Sequence, residues 1–176
     1  IEAVLQAIRI LTEHGGPAIA PSRISVSTVG RAQGIERLAE FANERGFRQL
    51  RLAISLNAPN DEVRQSIMPV NRAEPLANLR AAIGAWPAGD RLPILVEYVL
   101  IPGVNNEPGH AREVAEFLAG LSVNLNVIPY NPIRDSPWPA PTESEVNAFC
   151  EEARSAGLRT KRRRTMGRDA MAACGQ

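Results

Sequence analysis

Small polar side chains stand at several points of the sequence where a short apolar run ends. Ser27 and Thr28 close one such run, and Ser55, Leu56 and Asn57 close the next. Two later runs lead into similar residues, in Gly103-Val104-Asn105-Asn106 and in Pro129-Tyr130-Asn131-Pro132. Hydroxyl and amide groups suit hydrogen bonds to a neutral or zwitterionic ligand such as a nucleoside or an amino acid. Because the same residue types also form turns, spacing alone leaves a binding site and ordinary turns both open.

The two cysteines of the chain differ in their surroundings. Cys174 lies in the small-residue segment Met171-Ala172-Ala173-Cys174-Gly175-Gln176, with several cations nearby. Cations lower the pKa of a thiol, and an accessible thiolate is a nucleophile. Cys174 is therefore either a catalytic group or a terminal cysteine without a function, and these grounds favour neither alternative. Cys150 falls on the apolar stripe of a predicted helix, where free cysteine usually packs as a small hydrophobe. We therefore expect Cys150 to lie in the core.

Positive charge is concentrated near the C-terminus. Lys161, Arg162, Arg163 and Arg164 are consecutive, and Arg168 follows them. Such a cluster could bind the phosphates of an RNA with salt-dependent, largely sequence-independent affinity. It could equally be an edge strand whose charges prevent aggregation. The pattern alone does not decide between these two interpretations.

Three other ionisable residues give weaker signals. His14 and His110 have no metal-ligand spacing, so we predict surface positions for both and no metal site. Glu97 interrupts an apolar run, where a carboxylate is either part of a site or a buried group with satisfied hydrogen bonds.

Composition indicates one globular domain. The 176 residues are 44% hydrophobic and 22% charged, which gives enough apolar side chains for a sizeable core, and the net charge of +1 does not by itself indicate a nucleic-acid partner. Two cysteines are too few for a disulfide framework, although a single disulfide between them stays open. Neither a signal peptide nor a bilayer-spanning run occurs, so we expect a cytoplasmic protein without membrane contact. Ile1 falls inside a helical pattern, and we expect a missing segment upstream of it.

Helical and extended patterns alternate along the chain. The apolar stripes of the predicted helices cover residues 1–11, 35–42, 76–86, 111–118 and 146–153, and the last helix is expected to stop at Gly157. The predicted strands cover residues 23–28, 52–56, 94–100 and 125–129, with a last strand at 158–162. Asn106 is predicted to cap the fourth helix, with Pro108 near its first position. Thr142 opens the last helix with Glu145 three residues later, the spacing of a capping box.

This alternation predicts βαβ units in a parallel α/β sheet, with ligands at the carboxyl ends of the strands. About four parallel strands are too few to close an eight-stranded barrel. We therefore predict a partial (β/α) barrel, followed by a C-terminal helix, an edge strand and a tail.

Seven segments of the chain, in order, resemble the RlmN/Cfr family of radical-SAM RNA methyltransferases. They are Arg23-Ile24-Ser25-Val26-Ser27-Thr28, Leu52-Ala53-Ile54-Ser55-Leu56-Asn57-Ala58, Ile67-Met68-Pro69-Val70-Asn71, Val96-Glu97-Tyr98-Val99-Leu100, Gly103-Val104-Asn105-Asn106, Asn126-Val127-Ile128-Pro129-Tyr130-Asn131-Pro132 and Ala172-Ala173-Cys174-Gly175-Gln176. Each segment is a weak signal alone, but together they span nearly the whole chain. The resemblance implies a radical-SAM type of partial barrel.

The resemblance also implies roles for particular residues. Positions that bind S-adenosylmethionine in the family match Ser27, Ser55, Leu56, Asn57 and Asn131. Cys174 matches the cysteine that takes the methyl group of one S-adenosylmethionine and becomes S-methylcysteine. A second S-adenosylmethionine is cleaved at a 4Fe-4S cluster, and the resulting radical chemistry carries the methyl group to an adenine carbon, C2 in RlmN-like or C8 in Cfr-like enzymes. The implied substrate is 23S ribosomal RNA, with transfer RNA as a second candidate, and the implied enzyme is a monomer.

Departures from the family pattern limit what this chain can do. The family's cluster cysteines, the Gly-Glu pair that contacts S-adenosylmethionine, the resolving cysteine and an RNA-binding domain all precede the point matching Ile1. Residues 1–176 are thus expected to form the C-terminal part of a radical-SAM core domain without turnover of its own. Asn57 stands where many members have histidine. Met166-Gly167-Arg168-Asp169-Ala170-Met171 replaces the usual Arg-Gly-Asp-Asp-Ile-Asp, which favours a paralogue with a different target as one alternative.

Two further alternatives remain at this stage. The chain could be a non-catalytic module that binds RNA through its basic tail. It could also be an unrelated metabolic enzyme on a partial barrel, with no affinity for S-adenosylmethionine.

Overall fold

The computed structural model describes residues 1–87, 92–132 and 136–163, which contain five strands and six α-helices. The strands are β1 (Ser25–Thr28), β2 (Arg51–Ser55), β3 (Ile94–Leu100), β4 (Val123–Pro129) and β5 (Thr160–Arg162). The helices are α1 (Glu2–Thr12), α2 (Ala32–Asn43), α3 (Asp61–Ile67), α4 (Leu76–Ala85), α5 (Pro108–Leu118) and α6 (Glu143–Ser155). Short 3-10 helices cover Pro21–Arg23 and Pro69–Arg72.

The five strands form one sheet whose spatial order follows the sequence from β1 to β5. Every neighbouring pair is parallel. Parallel neighbours need a crossover connection, and at least one helix lies between each strand and the next. The predicted parallel α/β sheet is confirmed, and β5 occupies the sheet edge beside β4 as predicted.

One face of the sheet packs against the helices. Along β3, Ile94, Val96, Tyr98 and Leu100 are buried, whereas the three residues between them are only half-buried. The same face of β2 and β4 joins apolar residues of α1, α2, α4, α5 and α6 in one continuous core. The strict alternation in β3 shows that the described residues place no comparable layer over the opposite face. The sheet therefore has the form of a partial barrel, with helices outside and an uncovered inner face.

The helix ends show one correct prediction and one error. Thr142 caps α6: its Oγ1 accepts a hydrogen bond from the Glu145 N–H, and the Glu145 carboxylate accepts one from the Thr142 N–H. The prediction that Asn106 caps α5 is wrong, because Pro108 starts the helix and Glu107 takes the cap position without a side-chain hydrogen bond. The Asn106 Oδ1 instead accepts a backbone hydrogen bond inside the preceding loop, at 2.9 Å.

Helix α3 was not predicted. It has seven residues, too few for a clear apolar repeat with a period of 3.6. Asn60 caps it, since its Oδ1 accepts a hydrogen bond from the N–H of Val63 at 3.0 Å.

Three sequence predictions concern single residues. Cys150 is buried in α6 and belongs to the core, as predicted. His14 is exposed, as predicted. The surface position predicted for His110 is wrong: the residue is half-buried, and its Nδ1 is buried without a hydrogen-bond partner among the described residues.

Across the described ranges, none of the helices combines the length and apolar content that crossing a bilayer would require.

Candidate functional site

A row of polar side chains crosses the uncovered face of the sheet. Ser55 of β2 is the register partner of Glu97 of β3, which pairs with Asn126 of β4. Asn126 pairs in turn with Lys161 of β5. Register partners in a parallel sheet point to the same face, so a hydroxyl, a carboxylate, an amide and an ammonium group stand side by side. Lys161 is exposed and the other three residues are half-buried, which leaves the row open to a ligand.

Glu97 belongs to this row rather than to the core. Its side chain is 23% exposed, and its ion pair with Arg163 is long, with 3.9 Å between Nη1 and Oε1. A carboxylate that is partly withdrawn from water and held by one distant cation can accept further hydrogen bonds. Of the two roles left open by the sequence, the position of Glu97 favours a place in the site.

Ser27 lies on the same face at the free edge of the sheet, where its register partner is Ala53. A cavity of about 500 Å³ opens beside β1. Ser27 and Arg31 supply polar groups to its wall, and Val4 of α1, Ile35 of α2 and Leu52 of β2 supply apolar ones. This volume lies within the range of small-molecule sites, which are about 300–1,000 Å³. The cavity therefore lies at the β1 edge and reaches the helix-covered side of the sheet, with Ser27 at its boundary with the polar face.

Strand β2 ends in a bulge that shapes the middle of the carboxyl edge. The N–H groups of Leu56 and Asn57 both donate to the carbonyl oxygen of Glu97, at 2.9 and 3.4 Å. Asn57 has a φ of 56°, the left-handed region in which asparagine and histidine are enriched among non-glycine residues. The segment thus turns the chain and also carries polar groups at the sheet edge. The two interpretations of its composition, an ordinary turn and a ligand-binding segment, are therefore compatible.

Leu56 reaches this edge only through its main chain, because its side chain is 1% exposed and belongs to the core. Its carbonyl oxygen accepts a hydrogen bond from Nε of Arg64 at 3.3 Å. Arg64 is itself fully buried, and it also donates to the carbonyl oxygens of Val29 and Glu74 and to Oδ1 of Asn71. Arg64 therefore ties the loops that follow β1 and β2 together. Sequence reasoning missed this residue because arginine is normally a surface residue.

Asn105 holds the same edge from the β3 side. It is fully buried, and its Nδ2 donates to the carbonyl oxygens of Asn57 and Val99, both at 2.8 Å. Its Oδ1 accepts from the N–H of Ile101 at 2.7 Å, and its own carbonyl accepts from the hydroxyl of Tyr98. The sequence pattern predicts a polar loop around Asn105, but it does not indicate that the partners of Asn105 are main-chain groups of other segments.

The remaining predicted site residues fall partly outside the described ranges. Asn131 follows β4 at the carboxyl edge and is 6% exposed. Cys174 lies outside the described residues, as do Arg164 and Arg168. The structure thus brings Ser27, Ser55 and Asn57, together with Asn131, to one edge of the sheet.

The basic run is partly neutralised where it is described. Arg162 donates to Oε1 of Glu143 at 2.6 Å and to Oδ1 of Asn147 at 3.2 Å. Hydrogen bonding to Glu143 raises the pKa of Arg162. Arg163 pairs with Glu97. Among the described residues of the basic run, Lys161 is exposed on the open face of the sheet and forms no ion pair with another described residue. Within the described residues, Arg162 and Arg163 are thus paired, as expected for a charged edge strand, while Lys161 stays available to an anion.

The described residues do not fit an iron–sulfur cluster. No three or more His, Cys, Asp or Glu side chains in them are grouped closely enough to hold a metal ion. A cluster needs cysteine thiolates, and Cys150 is 2% exposed inside the core. Burial raises the pKa of its thiol, which disfavours the thiolate further.

These features define an α/β protein with an open parallel sheet that carries a row of polar side chains on one face and further polar residues at the carboxyl ends of its strands. No protein-family model matches the chain. It is 43% identical over 176 residues to the dual-specificity RNA methyltransferase RlmN of Sorangium cellulosum, covering 99% of this chain and 44% of that protein. It is 40% identical over 173 residues to a probable dual-specificity RNA methyltransferase RlmN of Thermus thermophilus, covering 98% of this chain and 47% of that protein.

Solved structures agree with the sequence relatives. A radical SAM methyltransferase from Sphaerobacter thermophilus is 38% identical with a TM-score of 0.85, and the match covers 99% of this chain and 50% of that chain. A domain of a pyruvate-formate lyase-activating enzyme from Bacteroides vulgatus, 20% identical with a TM-score of 0.65, shares the fold; that match covers 93% of this chain and 91% of that chain. Over nearly its whole length the chain is therefore similar to one half of an RlmN-type radical SAM methyltransferase, and it spans about half the length of the curated relatives that it matches.

Proposed function

We propose that this chain forms the S-adenosylmethionine-binding and methyl-carrying part of a radical-SAM RNA methyltransferase. The polar row from Ser55 to Lys161 on the uncovered face carries the proposal, because it supplies a binding face where the family relationship requires one. S-adenosylmethionine combines a nucleoside with a zwitterionic amino acid. The neighbouring hydroxyl, amide and carboxylate groups are complementary to both parts.

Within this proposal, Ser27, Ser55, Asn57 and Asn131 bind the cofactor with their side chains. Leu56 contributes through its main chain and through the wall of the core behind the site, since its side chain is buried. The apolar layer behind the sheet excludes water from the rear of the site and keeps these groups at fixed positions.

Cys174 is proposed as the methyl carrier. Its thiolate sulfur attacks the methyl carbon of S-adenosylmethionine and forms a new S–C bond. The bond between that carbon and the sulfonium sulfur breaks, and its electron pair leaves with S-adenosylhomocysteine. The thiol proton passes to solvent, and the chain is left with S-methylcysteine.

The proposed product is adenine methylated at C2 in 23S ribosomal RNA, with transfer RNA as a second substrate. A 4Fe-4S cluster supplies the one-electron chemistry in this class of enzyme. Two cysteines, one of them buried, are too few to ligate such a cluster by themselves. A methyl acceptor at C8 or in another RNA is the alternative that the altered segment Met166–Met171 favours.

Equilibrium binding of S-adenosylmethionine to the 176-residue chain tests the first part. Ser55→Ala is expected to weaken binding about three- to tenfold, as loss of one neutral hydrogen bond predicts. Ser155→Ala is the matched control, because Ser155 is exposed at the end of α6. Absence of binding, or equal effects of both substitutions, would refute the assignment of the site.

Mass spectrometry of the complete gene product tests the second part. The peptide that contains Cys174 is expected to carry one methyl group when the protein is isolated from cells, and Cys174→Ala should abolish RNA methylation. An unmodified Cys174 in an active preparation would exclude the carrier role.

A non-catalytic RNA-binding module remains a second candidate, and the exposed Lys161 favours it. That hypothesis requires RNA affinity that falls when Lys161 and the three following arginines become alanine. Unchanged RNA binding in that variant would eliminate it.

A further inference from the structure

Asn105 and Asn57 form a hydrogen-bonded pair whose members have different surroundings. Asn105 is fully buried, and its Nδ2 holds the carbonyl oxygen of Asn57 at 2.8 Å. Asn57 is half-buried at the carboxyl edge, where its left-handed φ of 56° turns the chain out of β2. The left-handed conformation costs a non-glycine residue about 1–2 kcal/mol, so it persists only where surrounding contacts hold it. The bond from Asn105 is one such contact.

The side chain of Asn57 is oriented by a second bond. Its Oδ1 accepts a hydrogen bond from the main-chain N–H of Val99 at 3.0 Å. Because an N–H group can only donate, the amide oxygen must face Val99 and the nitrogen must face the other way. The Nδ2 lies 3.6 Å from the sulfur of Met68, a weak acceptor. A ligand at this point therefore meets an amide nitrogen with hydrogen to donate.

The loop that carries Asn105 also fixes the position of Val99. Asn105 Nδ2 donates to the carbonyl oxygen of Val99, while the Val99 N–H donates to Asn57. The three residues thus form a closed set of bonds between the end of β2, the end of β3 and the loop after it. Loss of Asn105 would therefore loosen the main chain at Asn57 and at Val99 at once.

We propose that Asn105 is a positioning residue that fixes Asn57 as a donor-only contact for the cofactor, so that Asn57 recognises a hydrogen-bond acceptor. On S-adenosylmethionine the acceptors are the ring nitrogens of adenine, the ribose oxygens and the carboxylate. The identity of the ligand rests on the proposed function, whereas the positioning of Asn57 does not.

Asn106 provides a matched control on the same loop. It is the neighbouring residue of identical type, and its side chain bonds the N–H of Gly103 and the carboxylate of Glu145. Neither of these bonds reaches the turn at Asn57. Asn106→Ala therefore reports the general effect of removing an amide from this loop.

Amide hydrogen exchange followed by NMR tests the positioning role. In Asn105→Ala, exchange of the Val99 N–H is expected to accelerate about tenfold or more relative to that of Leu125, whose N–H bonds Arg159 in the β4–β5 pair. In Asn106→Ala the ratio of the Val99 exchange rate to the Leu125 exchange rate should stay within about twofold of its value in the unsubstituted chain. Equal acceleration at Val99 and Leu125 would mean that Asn105 only stabilises the whole fold. No acceleration at either site would mean that Asn105 does not hold Asn57. Either result overturns the proposal.

Substitution of Asn57 itself tests the donor-only contact. Asn57→Asp keeps an oxygen for the Val99 N–H but presents a second oxygen to the ligand, so it should bind S-adenosylmethionine more weakly than Asn57→Ala does. Preserved exchange protection of Val99 in the aspartate variant confirms that the turn is intact. Equal or tighter binding by Asn57→Asp would overturn the donor-only assignment. Absence of binding by the unsubstituted chain would instead count against the proposed function, while hydrogen exchange still decides the role of Asn105.

Discussion

Nη2 of Arg64 lies 2.7 Å from the carbonyl oxygen of Val29, which joins a fully buried guanidinium on α3 to the loop after β1. The other partners of Arg64 are the carbonyls of Leu56 and Glu74 and the side chain of Asn71. Burial lowers the pKa of Arg64, and the charges of nearby carboxylates partly oppose that shift. A buried cation held mainly by carbonyl oxygens therefore supports the carboxyl edge at the ends of two strands.

Replacement of Arg64 tests this support. Arg64→Met fills a similar volume but leaves four acceptors without their donor, and each unsatisfied buried group costs about 1–3 kcal/mol. We expect the free energy of unfolding to fall by about 3 kcal/mol or more in urea denaturation. Arg72→Met is the control, because Arg72 is exposed, and its effect should stay within about 0.5 kcal/mol. Similar losses in both variants would show that the Arg64 bonds contribute little.

Gly30 is packed directly against this guanidinium. A Cβ at Gly30 would lie 3.1 Å from Nη2 of Arg64 and 3.1 Å from a methyl carbon of Leu79, and the φ of Gly30 is +100°. Gly46 has a φ of +99°, and no atom lies within 4 Å of the position that a Cβ would take there, so Gly46→Ala isolates the backbone strain. We expect Gly30→Ala to lower the free energy of unfolding by at least about 1 kcal/mol more than Gly46→Ala, the usual scale of overpacking. Equal decreases in the free energy of unfolding would mean that the loop at Gly30 adjusts to the added methyl group without strain.

Elements with regular local signals were predictable from the sequence. The apolar run in β3 has the bounds Ile94–Leu100 in both sequence and structure, because apolar and β-branched residues favour the extended conformation. Thr142 and Glu145 lie three residues apart and form their capping box within one turn. The placement of polar residues at the carboxyl edge followed from the parallel topology alone.

The groups that hold the site together could not be predicted in the same way. Arg64 and Asn105 bond main-chain groups that lie up to 35 and 48 residues away in sequence, and no local pattern encodes such partners. For Asn57, the residue type itself is a sequence signal for its left-handed conformation. The family resemblance places histidine at this position in many members, and asparagine and histidine share a tolerance for the left-handed region that β2 requires there.

Burial of Cys150 predicts a thiol that resists alkylation. It is 2% exposed, and burial raises its pKa, so both the thiolate fraction and access to the sulfur are low. We expect iodoacetamide to label Cys150 at least about 100-fold more slowly in the folded chain than in urea, since labelling requires opening of the core. Peptide mass spectrometry separates Cys150 from Cys174. Rapid labelling of Cys150 without denaturant would show that α6 opens readily.

The capping box of α6 links helix stability to pH. Hydrogen bonds from the main chain and then the side chain of Thr142 lower the pKa of Glu145 below the ordinary value of 4.5. Because the pKa of Glu145 is lower in the folded chain than in the unfolded chain, its ionised form stabilises the fold at pH values above the unfolded-state pKa. This contribution is lost as the pH falls through the lower, folded-state pKa. At neutral pH, Thr142→Ala should cost about 0.5–2 kcal/mol, the usual range for loss of a threonine cap.

The pH dependence of that cost separates the cap from ordinary packing at Thr142. Because Thr142→Ala removes the hydroxyl that bonds the Glu145 carboxylate at 2.7 Å, the difference in melting temperature from the unsubstituted chain should narrow as the carboxylate becomes protonated. Ser144→Ala is the control, since Ser144 is exposed in the same first turn and should show a small difference that does not vary with pH. Thermal unfolding across the acid range measures both. A Thr142→Ala difference that stays constant through the titration of Glu145 would mean that its pKa is set by other contacts.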